Sequence, residues 1–122
     1  MNKDCTILVC DDSILARKNL TAFLTGFGYT NISEVSNGED AVNYCRDNKP
    51  DLVFLDIVMP VKDGVTATRE IMNDNPDTKI IIVSSVGTQT HLKEAIKAGA
   101  KDFIQKPIDE ELLRQVVENV DG

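Results

Sequence analysis

The chain has 122 residues, of which 42% are hydrophobic and 27% charged, and its formal net charge is −7 at pH 7. Length and composition are typical of one soluble globular domain spanning residues 1–122. The acidic excess argues against direct binding to nucleic acid or to anionic lipid, because both need basic patches. No apolar stretch has the roughly 20 residues of a membrane span, and three cysteines without a CxxC pair indicate reduced thiols and a cytoplasmic location.

Ten elements are predicted, in strict alternation of strand and helix. Short apolar runs predict strands at residues 6–10, 32–36, 52–56, 79–84 and 101–105. Helical spacing of apolar residues predicts helices at residues 13–27, 39–48, 65–73, 89–98 and 109–120. Continuous apolar strands joined by helices predict an α/β doubly wound sandwich, in which a five-stranded parallel sheet is covered on both faces.

Several individual positions in this pattern have an expected role. The apolar stripes of the last two helices are expected to face the core. They consist of Leu92, Ala95 and Ile96 in the fourth helix, and of Leu112, Leu113, Val116, Val117 and Val120 in the fifth. Gly64 is expected to adopt a backbone conformation that other residues resist. Thr88 is expected to serve the start of the fourth helix.

Polar and charged residues follow the predicted strands at the same edge of the sheet. In open parallel sheets, ligands bind beyond the carboxyl ends of the strands. The residues at four of these ends are Asp11 and Asp12 at the first strand, Asp56 at the third, Ser84 and Ser85 at the fourth, and Lys106 and Pro107 at the fifth.

Three carboxylates at one edge repel one another. Two like charges about 4 Å apart cost on the order of 4 kcal/mol at an effective dielectric constant of about 20. One lysine offsets part of this cost and a divalent cation offsets more, and hard oxygen ligands suit Mg²⁺. An aspartate beside such a metal can act as a nucleophile and form an aspartyl phosphate. Lys106, Ser84 and backbone N–H groups after Asp56 and Ser84 would then hold the phosphoryl oxygens.

The motifs taken together resemble the response-regulator receiver domain of the CheY-like, single-domain type. The resemblance covers residues 4–120 and depends on DD at 11–12, LDIVMPVKDG at 55–64, Ser84 and AGAKDFIQKP at 98–107. It implies a flavodoxin-like (βα)5 fold with strand order 2-1-3-4-5. It also implies two-component signal transduction, with chemotaxis or flagellar motor control as a possible pathway.

The same resemblance implies a role for each site residue. Asp56 would accept a phosphoryl group from the phosphohistidine of a sensor histidine kinase or phosphotransfer protein, in a reaction that needs Mg²⁺, for which Mn²⁺ could substitute. Asp12, Asp56 and the backbone carbonyl of Val58 would bind the metal directly, and Asp11 largely through water. Lys106 would contact a phosphoryl oxygen, as would the backbone N–H groups of Ile57 and Ser85.

A switch is implied as well. Ser84 would turn toward the phosphoryl group and Phe103 would change rotamer with it, which would alter the surface of the fourth helix, fifth strand and fifth helix for a downstream protein. The Lys106–Pro107 peptide bond would be cis. The protein would be a monomer, and it would be no enzyme beyond catalysing its own phosphorylation and dephosphorylation.

Four alternatives stay open. A phosphatase of the haloacid dehalogenase type needs a second aspartate two residues after the nucleophile, where this chain has Val58. A flavodoxin-type nucleotide module needs a glycine-rich phosphate loop after the first strand, where this chain has Asp11 and Asp12. A receiver-like module that only binds partners would not need the complete acidic site. The chain could also be a receiver domain excised from a larger regulator.

Overall fold

Strands and helices alternate along the whole described chain, which comprises residues 2–85 and 87–120 of a computed structural model. The strands are β1 Ile7–Cys10, β2 Ile32–Val35, β3 Leu52–Asp56, β4 Lys79–Ser84 and β5 Asp102–Gln105. The helices are α1 Ile14–Gly26, α2 Gly38–Asn48, α3 Gly64–Asp74, α4 Gln89–Lys97 and α5 Glu110–Asn119. Each bound agrees with the sequence prediction to within one residue.

The five strands form one parallel sheet in the order β2-β1-β3-β4-β5, which confirms the predicted order. Cys10 pairs with Leu55, so the residues that follow β1 lie beside the end of β3. Ser84 pairs with Gln105 in the same way, so the ends of β4 and β5 are also adjacent. The register therefore brings the carboxyl ends of four strands to one edge, where the sequence predicts a site.

Alternate residues of each strand point to opposite faces of the sheet, and each face has its own apolar cluster. Val53 and Leu55 of β3 belong to a cluster with residues from α2, α3 and α4. Leu52 and Phe54 belong to a second cluster with residues from α1 and α5. All five residues of β3 are buried, so this strand holds Asp56 rigidly from both sides.

Two predicted core positions are wrong. Ile96 of α4 is 41% exposed and Leu112 of α5 is 55% exposed. The strand order makes β5 an edge strand, and α4 and α5 flank it, so the sheet ends before it covers the full apolar stripe of either helix. Ala95, Leu113 and other members of the two stripes are buried as predicted.

Side chains cap four of the five helices. In each, the residue before the helix accepts a hydrogen bond from an N–H group in the first turn, which satisfies a donor that has no partner within the helix. The capping residues are Ser13 for α1, Asn37 for α2, Asp63 for α3 and Asp109 for α5. Thr88 occupies the same position before α4, at the start of that helix as expected, but its side chain makes no such hydrogen bond.

None of the helices within the described residues combines the length and the apolar character that crossing a bilayer requires.

Candidate functional site

Three carboxylates converge at the ends of β1 and β3. One oxygen each from Asp11, Asp12 and Asp56 lies within 4.8 Å of the others. Asp11 and Asp56 are buried, at 5% and 6% exposure, whereas Asp12 faces solvent. The cluster follows from the parallel pairing of β1 with β3, since the two strands end side by side.

Lys106, which follows β5, supplies a positive charge to this cluster. Its Nζ lies 2.8 Å from Oδ2 of Asp11 and 3.3 Å from Oδ2 of Asp56. Burial acts to lower the pKa of Lys106, but the hydrogen bond to Asp11 and the charge of Asp56 outweigh it, so the pKa is raised. The ammonium group therefore stays charged and joins two of the three carboxylates.

Asp56 remains an unfavourable place for a negative charge despite this lysine. Burial raises the pKa of Asp56, the neighbouring Asp11 raises it further, and Lys106 offsets only part of the shift. A divalent cation would relieve the remaining repulsion, and a set of carboxylate oxygens is what Mg²⁺ prefers. The three carboxylates thus fit a magnesium ion in number, chemistry and spacing.

The loop that bears Asp11 is fixed by backbone contacts. The N–H of Ser13 donates to Oδ1 of Asp11 at 2.9 Å. Nη1 of Arg17 donates to the Asp11 carbonyl at 2.7 Å, while its Nε donates to Glu34 at 3.2 Å. The sequence analysis missed Arg17, whose position one helical turn after Ser13 is a weak signal on its own.

The loop between β3 and α3 contains a strained residue and a close approach. Val61 has φ 69°, and the N–H of Lys62 donates to the carbonyl of Pro60 at 2.8 Å, which makes a γ-turn. Gly64 is not among the residues at positive φ; other residues are excluded there because a Cβ would collide with the carbonyl oxygen of Asp56. The glycine is required because α3 begins directly against the backbone of the candidate phosphoacceptor.

Lys62 ties this loop to the two neighbouring helices, a contact that the sequence analysis missed. Its Nζ lies 2.9 Å from Glu39 of α2 and 2.7 Å from Glu70 of α3. Hydrogen bonds to Glu70 and Glu39 raise the pKa of Lys62 above its ordinary value. These partners are 23 and 8 residues away in sequence, and pairing over such separations has no local signal.

The other predicted site residues are distributed around this cluster. Ser84 is buried at the end of β4, at 4% exposure, and the N–H of Ser85 donates to Oγ1 of Thr88 at 3.1 Å. The N–H of Ile57 donates to Oδ1 of Asp56 at 2.8 Å. Val58 is 61% exposed and Phe103 on β5 is 45% exposed. The Lys106–Pro107 peptide bond is cis.

Known proteins are similar to this chain in sequence and in fold. The family model for the response regulator receiver domain matches residues 7–118. The chemotaxis protein CheY of Thermotoga maritima is 46% identical over 101 residues, which are 83% of this chain and 84% of that protein. CheY of Bacillus subtilis is 38% identical over 111 residues, covering 91% of this chain and 92% of that one.

Solved structures of receiver domains and of CheY are also similar to this chain. A CheX–CheY–BeF3–Mg²⁺ complex from Borrelia burgdorferi matches with a TM-score of 0.89 and 34% identity, over 97% of this chain and 90% of the other. The receiver domain of the sensor histidine kinase PA1611 from Pseudomonas aeruginosa, with magnesium in its active site cleft, has a TM-score of 0.87 and 25% identity, over 98% and 99%. NtrX of Brucella abortus, at a TM-score of 0.88 and 30% identity, matches over 96% of this chain but 26% of its own. The chain therefore belongs to the response regulator receiver domain family, which serves two-component signal transduction.

Proposed function

We propose that this chain is a single receiver domain, residues 1–122, that accepts a phosphoryl group on Asp56 from the phosphohistidine of a sensor histidine kinase or phosphotransfer protein. The observation that carries the proposal is the convergence of three carboxylates and one ammonium group at the ends of β1, β3 and β5. An aspartate in that setting is both a nucleophile and the neighbour of a cation site.

The proposed metal ligands are Asp12, Asp56 and the backbone carbonyl of Val58, with Asp11 acting largely through water. Bound Mg²⁺, or Mn²⁺ in its place, would neutralise charge on the carboxylates and on the incoming phosphoryl group. The excess of acidic over basic groups in the cluster supports this assignment.

The chain's own residues have separate parts in the transfer. A carboxylate oxygen of Asp56 forms a bond to phosphorus as the bond from phosphorus to the histidine nitrogen breaks. Lys106, which contacts Asp56 at 3.3 Å, binds a phosphoryl oxygen as a point charge. The hydroxyl of Ser84 and the N–H groups of Ile57 and Ser85 bind the remaining oxygens, so that charge developing on them is stabilised. The protein acts on no substrate besides itself, and it loses the phosphoryl group by autodephosphorylation.

The proposed output is a change in the surface formed by α4, β5 and α5. Ile96, Phe103 and Leu112 expose 41%, 45% and 55% of their area there, which suits an apolar contact with another protein. Ser84 moving toward the phosphoryl group would draw Phe103 inward and shift the population between two packings of this surface. The downstream target is a protein, not nucleic acid or membrane, and the unphosphorylated chain is a monomer.

Chemotaxis or flagellar motor control is the proposed pathway, because the Thermotoga maritima and Bacillus subtilis relatives are both chemotaxis proteins. The proposed location is the cytoplasm, in keeping with the burial of the three cysteines in the core.

The proposal is tested by incubating the protein with Mg²⁺ and acetyl phosphate and then measuring its intact mass. We expect an adduct of one phosphoryl group in the parent and none in Asp56→Asn. The matched control is Asp47→Asn, an exposed carboxylate on α2, which should form the adduct as the parent does. Steady hydrolysis of acetyl phosphate without an adduct would instead support a phosphatase, and neither adduct nor hydrolysis would support a module that only binds partners.

A further inference from the structure

The side chain of Thr88, the residue before α4, contacts the backbone of Ser85, the residue after β4. Oγ1 of Thr88 accepts a hydrogen bond from the N–H of Ser85 at 3.1 Å and donates one to the carbonyl of Ser85 at 2.7 Å. The N–H of Thr88 donates to the same carbonyl at 3.1 Å. Thr88 is 7% exposed, so water competes little for these hydrogen bonds.

This arrangement differs from that at the other four helices, where the residue before the helix directs its side chain into the first turn. Thr88 stands at the equivalent position but directs its hydroxyl backwards, onto the loop. A hydroxyl has one proton and can both donate and accept, and here both capacities are used on Ser85. The hydroxyl of Thr88 therefore binds the backbone of Ser85 rather than the first turn of α4.

The N–H of Ser85 is also one of the two backbone donors proposed to bind the phosphoryl group. A backbone N–H makes one strong hydrogen bond, so Thr88 and a phosphoryl oxygen compete for it. The second donor, the N–H of Ile57, bonds to Oδ1 of Asp56, which belongs to the phosphoacceptor itself. The two donors therefore differ, because the N–H of Ser85 becomes available only when its hydrogen bond to Thr88 breaks.

We infer that Thr88 is a latch: its hydroxyl holds the N–H of Ser85 away from the phosphoryl group and so opposes formation of the phosphorylated conformation. The inference rests on the proposed phosphorylation of Asp56 and adds a residue that regulates it. Thr88 is a positioning residue, since it acts through Ser85. One intramolecular hydrogen bond changes an equilibrium constant by a net factor of about 2 to 12. Loss of the hydroxyl should therefore raise the affinity for the phosphoryl group by a factor in that range.

The test compares Thr88→Val, which keeps the shape and removes the hydroxyl, with Thr88→Ser, which keeps the hydroxyl. The probe is beryllofluoride with Mg²⁺, a non-covalent substitute for the phosphoryl group, and its Kd is measured by titration. We expect Thr88→Val to bind beryllofluoride about threefold to tenfold more tightly than the parent, and Thr88→Ser to bind it within about twofold of the parent. The exposed Thr90→Val is the matched control and should leave the Kd unchanged.

A second measurement separates a latch from a merely structural role. Without beryllofluoride, the Ser85 amide should exchange its hydrogen with solvent faster in Thr88→Val than in the parent, because its acceptor is gone. If Thr88 only supported the fold, replacing it would weaken both beryllofluoride binding and thermal stability. A Kd that is unchanged or higher in Thr88→Val would therefore overturn the latch. If the parent binds no beryllofluoride, or binds it equally in Asp56→Asn, the proposed function fails and the latch with it.

Discussion

At the scale of single residues, the most informative departure from ordinary backbone geometry is Val61. It has φ 69° although it is β-branched, and a residue of that kind at positive φ costs about 1–3 kcal/mol. It lies five residues after Asp56, at the centre of the γ-turn that the N–H of Lys62 closes, and three residues before the start of α3 at Gly64. The strain is tolerated because Lys62 and Gly64 are both held by tertiary contacts.

Replacing Val61 by asparagine should therefore raise the free energy of unfolding by about 1 kcal/mol, since asparagine tolerates positive φ and the valine side chain is 80% exposed. Urea unfolding monitored by circular dichroism measures the change. Val58→Asn is the matched control, because Val58 is also exposed but has no positive φ. Equal shifts in the two variants would show that strain at Val61 is not the cause.

At the scale of elements, α2 packs against β1 through an apolar cluster that contains two thiols, Cys45 and Cys10. Both are buried, at 3% and 1% exposure. Burial raises the pKa of Cys45 from 9.0 to about 12. Burial also raises the pKa of Cys10, and the charges of Asp11 and Asp56 raise it further. The thiol near the site is therefore an inert part of the core rather than a nucleophile.

The packing of α2 against β1 should stabilise the fold less at alkaline pH. The unfolded chain loses the Cys45 proton near pH 9.0, while the folded chain keeps it until about pH 12, so the thiol's full contribution is present below pH 9.0 and is lost as pH rises toward 12. By pH 10 the loss for this thiol is on the order of 1 kcal/mol. Urea unfolding between pH 7 and pH 10 should therefore show a smaller decline for Cys45→Ala than for the parent.

Val42→Ala is the control for that experiment, because it also leaves a cavity in α2 but removes no titrating group. It should be destabilised at every pH and decline in parallel with the parent. A parallel decline of Cys45→Ala would contradict the assignment.

At the scale of the whole molecule, folding brings like charges together in a chain that already has a net charge of −7. Asp56 lies 45 residues after Asp11 and 44 after Asp12, yet one oxygen from each of the three lies within 4.8 Å of the others. The unfolded chain does not impose this repulsion. A cation that binds only the folded state should therefore stabilise the whole domain by mass action.

We expect Mg²⁺ to raise the free energy of unfolding by about 2.7 kcal/mol when its concentration is about 100 times its Kd. Asp12→Asn should be more stable than the parent without Mg²⁺, because one repelling charge is gone, and should gain much less from Mg²⁺. Thermal unfolding across a Mg²⁺ titration measures both effects, with Asp47→Asn responding as the parent does. An Asp12→Asn variant with the parent's full response would remove Asp12 from the ligand set.

Local sequence patterns were enough to predict the alternation of elements, the parallel sheet and the strand ends at which acidic and basic residues lie. These follow from local periodicity and covalent spacing, which act within each element. Recognition of the family motif added the strand order. The helix bounds follow from apolar spacing within each segment, and the side chains of Ser13, Asn37, Asp63 and Asp109 cap four of the helices.

Contacts and burial that involve segments distant in sequence became known only from the tertiary structure. The contact of Lys106 with Asp56 joins residues that are 50 apart in sequence. Lys62 forms ion pairs with Glu39 of α2 and Glu70 of α3. The edge position of β5 exposes Ile96 and Leu112 despite their apolar spacing. Thr88 bonds to the loop rather than to α4, since a hydroxyl takes whichever partner the surrounding packing brings within reach. These contacts depend on how the elements pack together, and the apolar periodicity within one element carries no information about that packing.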